Sequence, residues 1–278
     1  MNFKFSGIAD EAGAALELQI AAHRELGWDY IEPRGVNGKQ FTDATDEEFS
    51  QIGEQLGAAN LRVSAFASGI ANWACKITDP VENTTSALAR VIPRMQSLGT
   101  KFIRVMSFKN DGLSEADWHR EAVRRFREFG KIAEEGGIVL AVENCDGWAA
   151  TSAENYGRFF EEVASPAVKA VYDTGNPASH GHTNTWDWYQ AAKPHLAYIH
   201  IKAHSGPGGE HQWPDTGHSC IRETLADLKA SGYVGFVSIE PHVGEKLPSE
   251  PGSEKSSAYL SYVEYGRRLV KLAAEIAG

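Results

Sequence analysis

The chain has 278 residues, 42% of them hydrophobic and 23% charged, which is enough apolar material for one large α/β barrel or two ordinary domains. A formal net charge of −10 argues against a polyanionic partner such as nucleic acid, since affinity for a phosphate backbone comes from clustered Lys and Arg. No apolar run reaches the roughly 18 residues needed to cross a bilayer, and the opening "MNFKFSGIADEAG" lacks the regions of a signal peptide, so the expectation is a cytoplasmic protein with no membrane partner.

Taken in chain order, short β-branched or aromatic runs alternate with longer helical patterns. The strand candidates are "FKFSGIAD" from Phe3, "YIEPR" from Tyr30, "LRVSAFAS" from Leu61, "KFIRVMSF" from Lys101, "IVLAVEN" from Ile138, "VKAVYDTGN" from Val168, "LAYIHIKAH" from Leu196 and "GFVSIEPH" from Gly235. Between them lie helical segments such as "AALELQIAAHRELG", "DEEFSQIGEQLGAA", "HREAVRRFREFGKIAEEGG" and "IRETLADLKASGY", and "SAYLSYVEYGRRLVKLAAEIAG" closes the series. This alternation is the sequence form of a parallel sheet with crossover helices. Eight such units predict an α/β protein, a single (β/α)8 TIM barrel domain over residues 1–278. A doubly wound dinucleotide-binding sheet is disfavoured because no GxGxxG follows the first strand. "HSGPGGEHQWPDTGHS" reads as a long loop after the seventh strand, and "PSEPGSEKSS" as a polar loop without assigned function. Cys75, Cys145 and Cys220 are odd in number and lack CxxC spacing, which predicts reduced thiols.

In such barrels chemistry sits at the C-terminal strand ends. The fifth strand ends in Glu143, the sixth in Asp173, the seventh carries His200 and the eighth ends in Glu240. A carboxylate ending an apolar strand needs water or a partner, and three carboxylates converging on one mouth are unfavourable without a cation among them. Carboxylate oxygens with one imidazole suit one divalent metal ion, Mn2+, Mg2+ or Co2+ first, with Fe2+ and Zn2+ also compatible.

The segments "AVEN", "VYDTGNP", "YIHIKAH", "DTGH" and "VSIEPH", in this order on these strands, resemble the sugar phosphate isomerase/epimerase family, the xylose-isomerase-like barrels, over essentially the whole chain. Ketose 3-epimerases, inosose isomerases and dehydratases, and endonuclease IV type enzymes share the Glu, Asp, His, Glu pattern. The resemblance implies that Glu143, Asp173, His200 and Glu240 bind one divalent metal, that Glu143 and Glu240 act as an acid/base pair on either side of a sugar, and that the protein forms a homo-oligomer. The expected chemistry is removal of a proton α to the carbonyl of a keto-sugar through a metal-stabilised enediolate, giving isomerisation or epimerisation. The same enolate in a lyase or dehydratase would eliminate a β-oxygen from a 3-keto-glycoside or inosose. An endonuclease is disfavoured, since strands three and four offer Ser64, Phe66 and Met106 where further histidines are needed.

One departure stands out. Ketose 3-epimerases carry Asp-x-x-His where this chain has Asp173-Thr174-Gly175-Asn176. Lys202 and His204, alternating with His200, are the candidate general acids. His218, in "DTGH", resembles a "GTGH" segment near the epimerase site and is expected to bind substrate. Glu32 of "YIEPR", similar to the family's "IELR", is expected to do the same, with Asn144 and Asn176. Trp73 and Trp148 are expected to stack on a pyranose face. Asp10, Glu11, Arg34, Ser68, Arg104 and Ser107 are further wall residues. No Gly-rich cradle or Arg cluster appears on the last loops, which favours a non-phosphorylated sugar.

Overall fold

A computed structural model describes residues 3–244, 246–249 and 255–277; part of the "PSEPGSEKSS" stretch lies outside the described residues. All eight expected strands form: β1 (Lys4–Gly7), β2 (Tyr30–Ile31), β3 (Ala65–Ala67), β4 (Phe102–Ser107), β5 (Val139–Gly147), β6 (Val168–Asp173), β7 (Leu196–Ile201) and β8 (Phe236–Ile239). Among the helices are α1 (Leu16–Leu26), α2 (Asp46–Ala58), α3 (Val81–Ser97), α4 (Glu115–Gly136), α5 (Ala153–Val163), α6 (Thr185–Ala192), α7 (Ile221–Ala230) and α8 (Ser257–Ala277). The expected third strand is broken at Ser64, and its first part, Arg62–Val63, pairs in parallel with β2. Ser64 Oγ lies 2.7 Å from Ser6 Oγ and 3.2 Å from Ile31 O, side-chain bonds that interrupt the run.

Local chemistry explains the helix ends. Thr45 and Glu48 form a reciprocal capping box at α2, Ser114 Oγ accepts from the Asp117 amide at α4, and Gly137 ends α4 at φ 67°, a conformation that disfavours a Cβ. No helix among the described residues is long and apolar enough to cross a membrane. The three cysteines are free and partly exposed.

The chain divides into two compact units, interleaved in sequence: Met1–Ser64 with Asp173–Trp186 and Ile199–Gly278, and Ala65–Tyr172 with Asp187–Tyr198. In the first, β8 lies between β1 and β7, all parallel, so that Ser238 is level with both Ser6 and His200. The expected long loop after β7 contains a small antiparallel hairpin in which Ala203 faces Gln212 and His204 faces His211. In the second unit β3, β4, β5 and β6 are parallel and in sequence order. Their apolar residues are buried apart from Phe102 and Val139 at the strand starts, which are half-buried, as expected of parallel strands covered on both faces. Tyr156 of α5 reaches down to place Oη 2.8 Å from both Val142 O and Val171 O, and so joins β5 to β6 just before Glu143. Gly147 ends β5 at φ 90° where a Cβ would come 2.4 Å from the Ser107 carbonyl carbon.

His23 of α1 is wholly buried beside Trp28 and Tyr262. Its Nδ1–H donates to Gln19 O at 2.9 Å, and burial pushes its pKa down to about 4. The unfolded chain takes up this proton near pH 6.5 and the folded chain only near pH 4, so the stabilisation is full above pH 6.5 and is lost as pH falls towards 4. Urea midpoints measured across that window should therefore decline on acidification, with a shallower decline in His23→Gln.

Candidate active site

The first unit gathers its acidic and basic side chains at the ends of β6, β7 and β8. Asp173 closes β6, and its Oδ1 accepts the amides of Gly175 and Asn176, each at 2.8 Å. That turn starts a four-residue helix, Asn176–Ser179. The other oxygen, Oδ2, lies 3.2 Å from Lys202 Nζ.

His200 is inaccessible to solvent and is held from behind. Its Nε2 lies 3.0 Å from Glu32 Oε1, while Glu32 Oε2 accepts from Ser238 Oγ at 2.5 Å. A carboxylate on Nε2 assigns the proton to that nitrogen and leaves the Nδ1 lone pair directed at the cluster, the arrangement that orients a metal-binding imidazole. Nδ1 is 3.7 Å from Glu240 Oε2. Glu32 was expected at a substrate wall; the structure corrects this, since its carboxylate is buried and engaged by His200 and Ser238.

Glu240 follows β8 and meets a separate cation at each oxygen. Arg34 Nη1 is 2.8 Å from Oε1, and Lys202 Nζ is 3.0 Å from Oε2. Arg34 also reaches Asp10 Oδ2 at 3.0 Å and Glu11 Oε1 at 3.6 Å. His242, absent from the sequence expectations, sits at φ 50° with Nε2 3.3 Å from Glu240 Oε1, and its amide donates to Glu11 Oε2 at 2.6 Å. Burial would depress the His242 pKa, but Glu240 and Glu11 beside it raise it above the usual imidazole range. Burial raises the Glu11 carboxyl, helped by Glu240 and opposed by His242 and Arg34. The only sequence sign of His242 is its place in "EPH" two residues beyond Glu240.

Lys202 and Asn176 are brought together, with Nζ 3.0 Å from Asn176 Oδ1. His204 is buried beside this group, its Nδ1 accepting from the Gly206 amide at 3.3 Å and its ring 5.1 Å from that of His211. Burial, reinforced by the neighbouring His242 and the Lys202 ammonium, pushes His211 down to about 4. His218 is exposed and lines a crevice with Ala178, His182 and Ser205, to which none of Asp173, His200 and Glu240 contributes.

The remaining expected residues lie in the second unit. Glu143 is buried in β5, where Arg104 Nη1 is 3.3 Å from its Oε2 and Arg104 Nη2 donates to Ser68 O at 3.2 Å. Asn144 beside it is buried as well. Trp148 does not present a face to a sugar: it is 1% exposed, with the His119 ring stacked on it at 4.0 Å. Trp73, 64% exposed, has an accessible indole.

Ligand atoms of Asp173, His200 and Glu240 lie within 4.8 Å of one another. Two carboxylates and an imidazole with its Nδ1 turned inward form a buried Glu/Asp/His cluster that can hold a divalent metal ion.

Parallel strands, intervening helices and an acidic cluster at the strand ends define the class: an α/β barrel with a metal-capable site. The chain belongs to the xylose isomerase-like TIM barrel family, whose model matches residues 20–263. It is 28% identical over 144 residues to a 2-epi-5-epi-valiolone 7-phosphate 2-epimerase of Actinoplanes sp., a match that spans 52% of each chain and so about half the length of that relative. A xylose isomerase-like TIM barrel protein from Mycobacterium smegmatis in complex with magnesium superposes with TM-score 0.68 at 19% identity, covering 98% of this chain and 97% of the other. For a 3-keto-D-glucoside 4-epimerase from E. coli the values are 0.71 and 16%, covering 98% and 99%. At these identities the structural matches speak to the fold, which is the expected TIM barrel.

The support behind His200 has a measurable price in stability. Glu32→Ala removes the acceptor for both His200 Nε2–H and Ser238 Oγ–H, and a buried donor left without its acceptor costs about 1–3 kcal/mol. Urea denaturation should show a loss of at least that order, with Glu32→Gln milder because its amide oxygen still accepts.

Proposed function

We propose that the protein is a divalent-metal-dependent sugar isomerase or epimerase, a single (β/α)8 barrel domain that removes a proton α to the carbonyl of a non-phosphorylated keto-sugar. The observation that carries this reading is the Asp173, His200, Glu240 donor set, with Glu32 turning the His200 lone pair inward. In the proposal Glu143, the carboxylate that ends the apolar run of β5, is the fourth ligand. A divalent ion held there supplies charge stabilisation for oxygen in the enolised sugar.

The chain's own residues supply the rest. Arg34 fixes one oxygen of Glu240, so the other is presented to the cluster as a base. Glu143, assigned to the opposite face, returns the proton, and two carboxylates on opposite faces are what epimerisation requires. Asn144 and Asn176 are assigned to sugar hydroxyls and the accessible Trp73 to a sugar face, while His204 remains a candidate acid. The Actinoplanes and E. coli proteins are both epimerases, which supports the reaction class, and the latter's 3-keto-D-glucoside suggests a substrate class.

A second reading is favoured by one contact. The Lys202 ammonium, held by Asn176 at 3.0 Å, is a proton donor beside the base, which suits protonation of a departing oxygen in β-elimination from a 3-keto-glycoside or inosose. Incubation in D2O with keto-sugars and Mn2+ separates the two readings: deuterium retained in a stereoisomer supports epimerisation, and release of aglycone or water supports the lyase. Chelation should abolish turnover and Mn2+ or Mg2+ restore it. Glu240→Gln and Glu143→Gln should each slow solvent exchange by about 10²-fold or more; wild-type rates in both would remove the proposed pair.

A further inference from the structure

We propose that Lys202 is a built-in counter-cation of the ligand cluster, so that a divalent ion loads by displacing its ammonium from Asp173 and Glu240. This rests on the metal reading above and adds to it how the site is filled. The ammonium stands 3.2 Å from Asp173 Oδ2 and 3.0 Å from Glu240 Oε2, between two residues that offer ligand atoms to the cluster. A metal ion bonds carboxylate oxygens at about 2.0–2.6 Å, and a divalent charge and an ammonium on the same pair of oxygens repel each other with little water to screen them. Both cannot keep these contacts.

The surroundings are shaped for this lysine. Thr174 Oγ1 donates to Lys202 O at 2.7 Å and accepts from Lys202 N at 3.0 Å, which fixes its backbone. Gly175 gives its stem room: a Cβ there would lie 2.6 Å from Lys202 Cγ and 2.8 Å from Lys202 Cβ. The third contact of the ammonium is Asn176 Oδ1, 3.0 Å away. The Asp-Thr-Gly-Asn segment is thus one device, a ligand followed by three residues that clamp, clear and anchor Lys202.

The test uses chelator-treated full-length protein and Mn2+ as the probe, read by calorimetric titration and thermal melting. Lys202→Met, which keeps the stem volume and removes the charge, should bind Mn2+ at least about tenfold more tightly than wild type. Chelator-treated Lys202→Met should melt below chelator-treated wild type, and saturating Mn2+ should close or reverse the gap, as linkage requires. Should that variant fail to fold, Asn176→Ala, which removes the acceptor that anchors the ammonium, should tighten Mn2+ binding about two- to fivefold. Unchanged or weaker Mn2+ affinity in these variants, or equal melting of the chelator-treated pair, overturns the proposal. If turnover remains metal-dependent in that case, the functional reading stands alone; if wild type binds no Mn2+ at millimolar concentration, both fall.

Discussion

The constraint that organises the site is the accumulation of negative charge in a place nearly closed to water. Asp10, Glu11, Glu32, Asp173 and Glu240 meet in one unit, and carboxylates brought together in low dielectric must find cations or take up protons. Arg34 spans Asp10, Glu11 and Glu240, Lys202 spans Asp173 and Glu240, and Glu32 is met by the His200 Nε2–H and the Ser238 hydroxyl. The polar ends of otherwise apolar strands follow from that requirement.

This balance also gives each carboxylate a direction. Asp173 has one oxygen tied to backbone amides and the other turned to the ammonium. Glu240 has one oxygen on a guanidinium, which is rigid and always charged, and the other on a flexible ammonium. The rigid partner sets orientation, and the flexible one can yield. In both residues the inward oxygen is the one opposed by Lys202.

Most of the strand pattern was legible because buried parallel strands read as short apolar runs and the helices between them carry caps and terminal glycines. The ligand residues were legible for a related reason, a charge at the end of an apolar run being an anomaly that any sequence exposes. What the sequence did not carry was orientation. Glu32 looked like a wall residue, and only the level of Ser238 and His200 on adjacent strands reveals that it faces backwards. Trp148 looked like a stacking platform, but its partner His119 comes from α4, a contact without any local signature. His242 adopts a left-handed backbone that its side chain does not advertise. Asn176 read as a missing histidine, and became intelligible once Lys202 was found on its amide oxygen.

Thr174 has a consequence for how faithfully the site assembles. Strand pairing repeats every two residues, so a slip of β7 by one place would turn His200 and Lys202 away and bring Ile199 and Ile201 to the polar side. Backbone hydrogen bonds alone discriminate poorly against such a slip, because every peptide offers the same groups. Thr174 Oγ1 grips both the amide and the carbonyl of one residue, Lys202, and its own amide is held by His200 O at 3.1 Å. A single hydroxyl therefore acts as a registration pin, holding the end of the seventh strand in one register beside the Asp173 turn before any ligand is present to reward the correct choice.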